Sequence, residues 1–320
     1  MNYNEKIITR FAPSPTGFIH LGNVRTALFN WLYAKKKNGI FLIRIDDTDD
    51  KRNSKIYIDN IFYILNWLNI KSEKKIIYQS KNYDVYKKII ENLINENKAY
   101  KCYCSKERLL KIKIQNLNNK KKIEYDRFCK NNDQKNKSEN FVIRFFNNYN
   151  DIVEFDDLIK GKIKISNLEL DDFIIAKNNF IPTYNFASVV DDINYNISDI
   201  IRGEDHISNT PKQINIMRAL NAKIPRFAHL PMILDENKNK LSKRDKTSNM
   251  MYYKKEGFLS EAIINYIIKL GWSYKDKEIF SINEMIKFFD IKNINSSTSI
   301  INNKKLIWLN KYYIKNSTIT

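Results

Sequence analysis

Apolar and polar positions alternate in two short stretches near the start of the chain, with a helical pattern between them. A strand is predicted over 7–11 and a second over 40–45, where every other side chain is apolar. Between them, apolar residues recur at helical spacing, at Val24, Ala27, Leu28, Trp31 and Leu32. The order strand, loop, helix, strand predicts the opening of a parallel α/β unit.

The middle of the chain is more polar and is predicted to be an insertion. Helical spacing continues over 58–70 and 83–100, whereas the stretch from about Ser105 to Asn150 reads as rich in loops. Short strands are predicted from alternation at 141–146, 151–157, 162–167 and 171–177.

The pattern then predicts a return to the α/β core. The stretch 182–206 reads as a buried strand, a turn and a second strand, and a helix follows from about Thr210. A further amphipathic helix is predicted to begin at Ser260, to turn Ile263, Ile267 and Leu270 to one face, and to end at Gly271.

The composition allows two or three domains and indicates a polyanionic partner. The 320 residues are 43% hydrophobic, and 55 Lys and Arg against 36 Asp and Glu give a net charge of +19. Such an excess favours nucleic acid, because Lys and Arg neutralise phosphates and release counterions. A drift towards Lys, Asn and Ile, which have A/T-rich codons, explains the charge equally well.

The sequence predicts a soluble, cytoplasmic protein with no membrane partner. The opening "MNYNEK" lacks the apolar segment of an export signal, and no run of about 18 apolar residues is present. Three cysteines, an odd number, do not indicate a disulfide framework.

Two glycines and a histidine share the loop between the first strand and the first helix. Backbone amides and a helix N-terminus at Gly17 and Gly22 suit a phosphate, and His20 can donate a hydrogen bond to charge on phosphate oxygens. A tight turn with a structural histidine remains the alternative. The basic "KLSKR" at 240–244 is likewise open to two interpretations, a solvated loop or a catalytic element.

A set of motifs in a fixed order carries a family resemblance over essentially the whole chain. The motifs are "RFAPSPTG", "RIDDTD", "CYCSKERL", "PTYNF", "VVDD", "IIRGEDH", "KLSKR" and "LIWLN". In this order they resemble the bacterial glutamyl-tRNA synthetases, which are class I aminoacyl-tRNA synthetases. The segment "HLGN" is similar to the class I signature HxGH, with Asn23 in place of its last histidine.

The resemblance implies an α/β fold in three parts. A Rossmann-like catalytic domain with a parallel sheet is expected over 1–80 and 188–235. An inserted α+β acceptor-binding domain is expected over 81–187, and the KLSKR loop with a helical stem-contact domain over 236–320.

The resemblance also implies a reaction. Such enzymes activate L-glutamate with ATP and Mg²⁺ to glutamyl-adenylate, and transfer the glutamyl group to the 3′-terminal adenosine of tRNA(Glu). Activation requires groups that are positioned to stabilise the charge on the phosphates. The implied catalytic residues are His20, Lys240 and Lys243, and the implied ATP-binding residues are Gly17, His20, Gly22, Asn23 and Lys243.

A glutamate pocket is implied on the other side of the site. Arg10 and Arg202 match the substrate arginines of the family, and an arginine can grip a carboxylate bidentately. Tyr184 and Ser14 match a pocket tyrosine and a pocket hydroxyl. Asp46 stands where the family has glutamate, and it is expected to accept a hydrogen bond from the amino group of the substrate.

Another interpretation of the two arginines is structural. Arg10 and Arg202 would then form salt bridges with the acidic cluster of Asp46, Asp47 and Asp49. Ser188, where some relatives carry asparagine, is a weaker candidate for the pocket.

The three cysteines match a zinc site in one branch of the family. Cys102, Cys104 and Cys129 occupy its CxC…C positions, but Asn131 replaces the histidine ligand and amides are poor zinc ligands. Tyr125 could supply the fourth ligand. Zinc on these four residues and three free thiols both stay open.

Family members continue beyond the stem-contact region with an anticodon-binding domain, whereas this sequence ends at Thr320. The expectation is a C-terminally shortened monomer that recognises tRNA by its acceptor and inner stem. The alternatives are a glutamyl-queuosine tRNA(Asp) synthetase, which shares the core, and an inactive tRNA-binding module. A glutaminyl enzyme would carry a larger β-barrel C-terminus.

Overall fold

The computed structural model describes residues 6–49, 51–119, 125–132, 140–239 and 249–317. The strands are β1 (Ile8–Phe11), β2 (Ile40–Ile45), β3 (Ile77–Tyr78), β4 (Ala99–Cys102), β5 (Val142–Phe145), β6 (Ile152–Asp157), β7 (Gly161–Ser166), β8 (Ile174–Ala176), β9 (Asp199–Gly203), β10 (Arg226–Leu230), β11 (Ile233–Leu234) and β12 (Ser299–Ile300). The helices are α1 (Leu21–Lys36), α2 (Lys55–Trp67), α3 (Tyr83–Asn95), α4 (Lys106–Asn118), α5 (Phe128–Asn131), α6 (Tyr184–Asn194), α7 (Thr210–Ala219), α8 (Met250–Lys255), α9 (Ser260–Ile268), α10 (Ile282–Phe288) and α11 (Asn303–Asn316).

The first α/β unit follows the sequence pattern. Strand β1 pairs in parallel with β2, and β2 pairs in parallel with β3. Helix α1 connects β1 to β2, and its apolar residues Val24, Leu28 and Leu32 are fully buried. The predicted parallel α/β opening is confirmed.

Strands β6, β7, β9 and β10 form a second group of paired strands, which lies beside the group of β1, β2 and β3. Strand β10 pairs in parallel with β9 and β6, and β7 pairs antiparallel with β6. The amide of Ser198, next to β9, donates to the carbonyl of Ile8 in β1 at 3.0 Å. Strands β1 and β9 are therefore neighbours, and the residues that follow both of them come together at one edge.

The inserted segment forms a small antiparallel sheet, in which β5 lies between β4 and β8. Strands β6 and β7 lie in the same stretch of sequence, but they extend the sheet of β9 and β10. All four predicted strands of this stretch are present. The division into domains at 81–187 stays a prediction.

Apart from the helix predicted over 83–100, which ends at Asn95 before β4 begins at Ala99, two predicted elements differ from the structure. The first part of 182–206 is predicted as a buried strand, whereas Tyr184–Asn194 form α6. A short apolar run that contains Val189 and Val190 does not distinguish a strand from a helix buried on most sides. The helix also buries Ser188, Asp191 and Asp192, which find polar partners in the interior.

The other difference lies in the polar stretch after Ser105. It is predicted as rich in loops, but Lys106–Asn118 forms α4, which buries no side chain. The features that favour a helix here lie at its N-terminus. Ser105 Oγ accepts a hydrogen bond from the Arg108 amide, and Glu107 stands in the first turn.

The C-terminal helices close the first core. The predicted helix begins at Ser260, as α9, and buries Ile263 and Ile267, while Gly271 follows it with φ +108°. These side chains share one apolar cluster with α1 and α11. In the described parts of the chain, no helix is both long enough and apolar enough to cross a membrane.

Candidate active site

A cavity of about 420 Å³ opens where the residues after β1, β9 and β10 meet the N-terminus of α1. This edge, beyond the carboxyl ends of parallel strands, is where α/β sheets bind ligands. The cavity brings together six of the predicted site residues, Arg10, His20, Gly22, Asn23, Tyr184 and Arg202.

Other predicted residues lie elsewhere. Ser14, which is exposed, Gly17 and Asp46 do not line this cavity. Lys240 and Lys243, with the whole KLSKR segment, lie outside the described residues.

His20 is the N-cap of α1 and forms a reciprocal pair with Asn23. Its Nδ1 accepts a hydrogen bond from the Asn23 amide at 3.3 Å, and Asn23 Oδ1 accepts one from the His20 amide at 3.3 Å. A neutral ring therefore carries its proton on Nε2, which makes that atom a donor. Gly22 leaves room for the ring, because a Cβ there would lie 3.1 Å from His20 Cε1.

Arg10 lies on the β1 side of the cavity and is paired with a carboxylate. Its Nε and one terminal nitrogen donate to the two oxygens of Asp192 at 3.1 and 3.3 Å, and both side chains are buried. Arg44 donates to the same carboxylate at 2.7 Å. The positive charge of Arg10 is therefore compensated inside the protein.

Asp46 belongs to the same network and is not among the residues that line the cavity. Arg44 grips it with two hydrogen bonds, of 2.6 and 3.2 Å, and also donates to Ser188 Oγ. Burial raises the pKa of Asp46 to about 6, although Arg44 opposes the shift. The expected contact of Asp46 with the substrate amine stays a prediction.

The alternative that Arg10 and Arg202 form salt bridges with Asp46, Asp47 and Asp49 is wrong about the partners. Asp46 pairs with Arg44, Asp49 pairs with Arg52, and Asp47 accepts hydrogen bonds from the amide and hydroxyl of Ser80. In the described part of the chain, neither Arg10 nor Arg202 forms an ion pair with this acidic cluster.

Arg202 lies near the end of β9, the strand beside β1, and its partners are all neutral. It donates to Gln213 Oε1 and Thr210 Oγ1, both at 2.8 Å, to His229 Nε2 at 3.1 Å, and to the carbonyl of His206. Among the described residues no carboxylate lies within ion-pair distance of it, and burial lowers its pKa. A buried cation without a carboxylate is costly, so this one is suited to receive an anion.

Four ionisable residues of the cavity wall are not predicted from the sequence: Arg25, which closely follows HLGN, and Glu204, Asp205 and His206, which lie within IIRGEDH. Arg25 donates to the carbonyls of Leu270 and Pro231, and burial lowers its pKa to about 10. Glu204 accepts from the Met232 amide at 2.8 Å. Together they hold the chain that leads into the KLSKR segment.

The cysteines form a separate cluster in the inserted segment. The sulfurs of Cys102, Cys104 and Cys129 lie within 4.8 Å of one another. Tyr125 Oη lies 3.3 Å from the sulfurs of both Cys102 and Cys104. It also accepts a hydrogen bond from the amide of Cys129 at 3.0 Å. Asn131 is exposed at the end of α5. The four predicted ligands are therefore together, without Asn131.

Comparison with known proteins agrees with this geometry. Residues 6–308 match the family of class I tRNA synthetases (E and Q), catalytic domain. The chain belongs to this family.

Within that family, the similar relatives carry one name. A glutamate–tRNA ligase of Francisella tularensis subsp. novicida is 53% identical over 312 residues, which cover 97% of this chain and 67% of that protein. A glutamate–tRNA ligase of Wigglesworthia glossinidia brevipalpis is 50% identical, over 96% of this chain and 65% of its own length. The chain thus spans about two thirds of their length.

A solved structure agrees with the fold. The crystal structure of a glutamate tRNA ligase from Elizabethkingia meningosepticum, in complex with its amino acid, superposes with a TM-score of 0.89 at 32% identity. The superposition covers 98% of this chain and 70% of that one. The fold expected from the resemblance, with its parallel sheet and class I catalytic domain, is confirmed.

Proposed function

We propose that the chain is a glutamate–tRNA ligase, which activates L-glutamate with ATP and charges tRNA(Glu). The observation that carries the proposal is the cavity, which places a helix N-terminus with His20 opposite a buried arginine without a carboxylate partner. The helix N-terminus with His20 suits a phosphate, and the buried Arg202 suits a carboxylate.

In the activating step, a carboxylate oxygen of glutamate attacks the α-phosphorus of ATP, and pyrophosphate leaves. We propose that Gly17, Gly22 and Asn23 receive the nucleotide, and that Nε2 of His20 donates to a phosphate oxygen on which charge develops. Lys240 and Lys243 are proposed to follow the leaving phosphates, since a lysine is a flexible point charge. Mg²⁺ supplies charge neutralisation on these phosphates when bound.

For the amino acid, Arg202 is proposed to receive the side-chain carboxylate, since its charge has no internal partner. Arg10, already fixed by Asp192, adds oriented donors from the neighbouring strand β1. Tyr184 also lines the cavity, and its ring lies 5.3 Å from that of His206. Ser14 and Asp46 are proposed at the amino end, where Asp46 would have to share its carboxylate with Arg44.

In the second step, a hydroxyl of the terminal adenosine of tRNA attacks the activated carbonyl carbon, and AMP leaves. We propose that the stretch 81–187 holds the acceptor end and the stretch 236–320 the inner stem, around a catalytic domain of 1–80 and 188–235. The net charge of +19 supports electrostatic binding of RNA. We further propose a monomer that acts in the cytoplasm.

The cysteine cluster fits a structural zinc ion. Three sulfurs and one phenol oxygen converge, and zinc binds sulfur at about 2.3 Å in tetrahedral sites. Cys102, Cys104, Cys129 and Tyr125 would hold the metal, which would fix the inserted sheet and take no part in the reaction. Metal analysis of the purified protein should find one zinc per chain, and a metal-free folded protein would leave three free thiols.

The experiment that tests the function is a charging assay with two tRNAs. Unmodified tRNA(Glu) should accept glutamate, and queuosine-bearing tRNA(Asp) should not. Charging of tRNA(Asp) alone would identify the glutamyl-queuosine activity instead, and charging of neither would leave an inactive tRNA-binding module. The variant Lys243→Ala should reduce adenylate formation far more than tRNA binding, and equal losses would make KLSKR a solvated loop.

A further inference from the structure

Behind Arg202 lies a buried row of charged and polar side chains that the proposed reaction does not use. Asp157, His229 and Arg202 stand on three adjacent strands, β6, β10 and β9, and His229 is the register partner of Arg202. The side chains of Asp157 and His229 are 0% exposed. The row therefore continues from the cavity wall into the interior.

The contacts fix the protonation state of His229. Its Nδ1 lies 2.6 Å from Asp157 Oδ2, and a carboxylate only accepts, so Nδ1 carries the proton. Its Nε2 lies 3.1 Å from Nε of Arg202, which only donates, so Nε2 bears the lone pair. The ring is neutral, and burial, which lowers the pKa of His229, favours the same state.

Asp157 is held in its ionised form by several donors. Its Oδ1 accepts from the amides of Ile159 and Lys160 at 3.0 and 2.9 Å, and the carboxylate also accepts from the amide of His229. This anion therefore orients the imidazole firmly, as carboxylates do behind functional histidines.

His229 separates two opposite charges. Without the imidazole ring between them, the Asp157 carboxylate could pair directly with Arg202 and neutralise it, as Asp192 does for Arg10. With the ring in place, Arg202 is oriented by a neutral acceptor. Of its four other N–H groups, three go to Gln213, Thr210 and the His206 carbonyl, none of which is charged.

We propose that His229, backed by Asp157, is a positioning residue that orients Arg202 and keeps its charge available to the side-chain carboxylate of the substrate. This inference rests on the proposed function, in which Arg202 receives that carboxylate. His229 acts through Arg202 and does not contact the substrate.

Two substitutions separate the roles of the two ring nitrogens of His229. His229→Gln places an amide oxygen near the position of Nε2, so that an acceptor for Arg202 remains. His229→Asn places its amide near Nδ1 and leaves Arg202 Nε without a partner. A merely structural histidine would not distinguish these two variants in substrate binding.

The measurement is glutamate-dependent ATP–pyrophosphate exchange with tRNA present, with KM for glutamate and for ATP determined separately. His229→Asn should raise the KM for glutamate roughly ten- to a hundredfold, since a hydrogen bond to a charged group is lost. The KM for ATP should stay within about twofold, and His229→Gln should recover most of the glutamate affinity. In addition, the effects of His229→Asn and Arg202→Lys should not be additive.

The control is Asn265→Ala in α9. Asn265 is fully buried and hydrogen-bonded to the Phe280 amide, but it does not line the cavity. This variant should lose stability without a change in either KM. Equal KM values for His229→Asn and His229→Gln, or a rise for glutamate and ATP together, would overturn the positioning role.

Arg202→Gln separates failure of this inference from failure of the proposed function. If Arg202→Gln raises the KM for glutamate and His229→Asn does not, only the positioning role is wrong. If Arg202→Gln leaves that KM unchanged, the assignment of Arg202 as the carboxylate receptor is wrong, and the inference falls with it.

Discussion

Two neighbouring strands of the cavity, β1 and β9, hold their buried arginines, Arg10 and Arg202, in opposite ways. Arg10, on the β1 wall, shares the carboxylate of Asp192 with Arg44, so its charge is balanced within the fold. Arg202, on the β9 wall, meets neutral acceptors. The first arrangement stabilises the protein without any ligand. The second leaves a buried charge with no ion-pair partner among the described residues, which is why we propose that the substrate carboxylate binds there.

The largest effect is expected for Arg202→Gln. The catalytic efficiency for glutamate should fall by roughly a thousandfold, because a desolvated charge contact with the substrate is lost. The free energy of unfolding should not decrease by more than about 1 kcal/mol, because the cost of burying the charge is removed too. Exchange kinetics and urea unfolding of the same preparation measure both, and a strongly destabilised variant would place Arg202 in the same class as Arg10.

Arg10→Gln should show the opposite balance. Asp192 loses one of its two arginines, and breaking a buried pair costs about 3–5 kcal/mol, so the free energy of unfolding should fall by that order. Urea unfolding measures the loss. The double variant with Asp192→Asn should recover part of it, and wild-type stability of Arg10→Gln would show that the pair is not a structural one.

A smaller effect tests the charge of Arg202 itself. Burial, with Arg202 and Arg10 nearby, lowers the pKa of His206 to about 4. A positive neighbour disfavours the imidazolium, so Arg202→Gln should raise this pKa, whereas Arg202→Lys should leave it low. NMR titration of the histidine ring reports it, and equal pKa values in the two variants would mean that Arg202 exerts no net charge there.

The sequence predicts those elements of the fold in which apolar residues are regularly spaced. Strands β1 and β2 and helices α1, α7 and α9 follow from the spacing of apolar residues. Helix α6 does not, because it is buried on most sides and its polar residues pair in the interior. Helix α4 does not, because it has no buried face.

For the candidate site, the motifs name Arg10, His20 and Arg202, and the structure places all three in one cavity. The difference between the two arginines cannot be obtained from the sequence, because their partners lie far apart along the chain. Asp192 is 182 positions from Arg10, and His229 is 27 positions from Arg202. Only the folded sheet determines which arginine meets a carboxylate.

The most direct test of the account compares glutamate with glutamine in ATP–pyrophosphate exchange, with tRNA present. The side chain of glutamine has nearly the same shape but no negative charge, so an arginine without a carboxylate partner should discriminate strongly between them. The account predicts exchange with glutamate, almost none with glutamine, and loss of this preference in Arg202→Gln. Exchange that is absent with glutamate, or equal with the two amino acids in the wild-type protein, would contradict it.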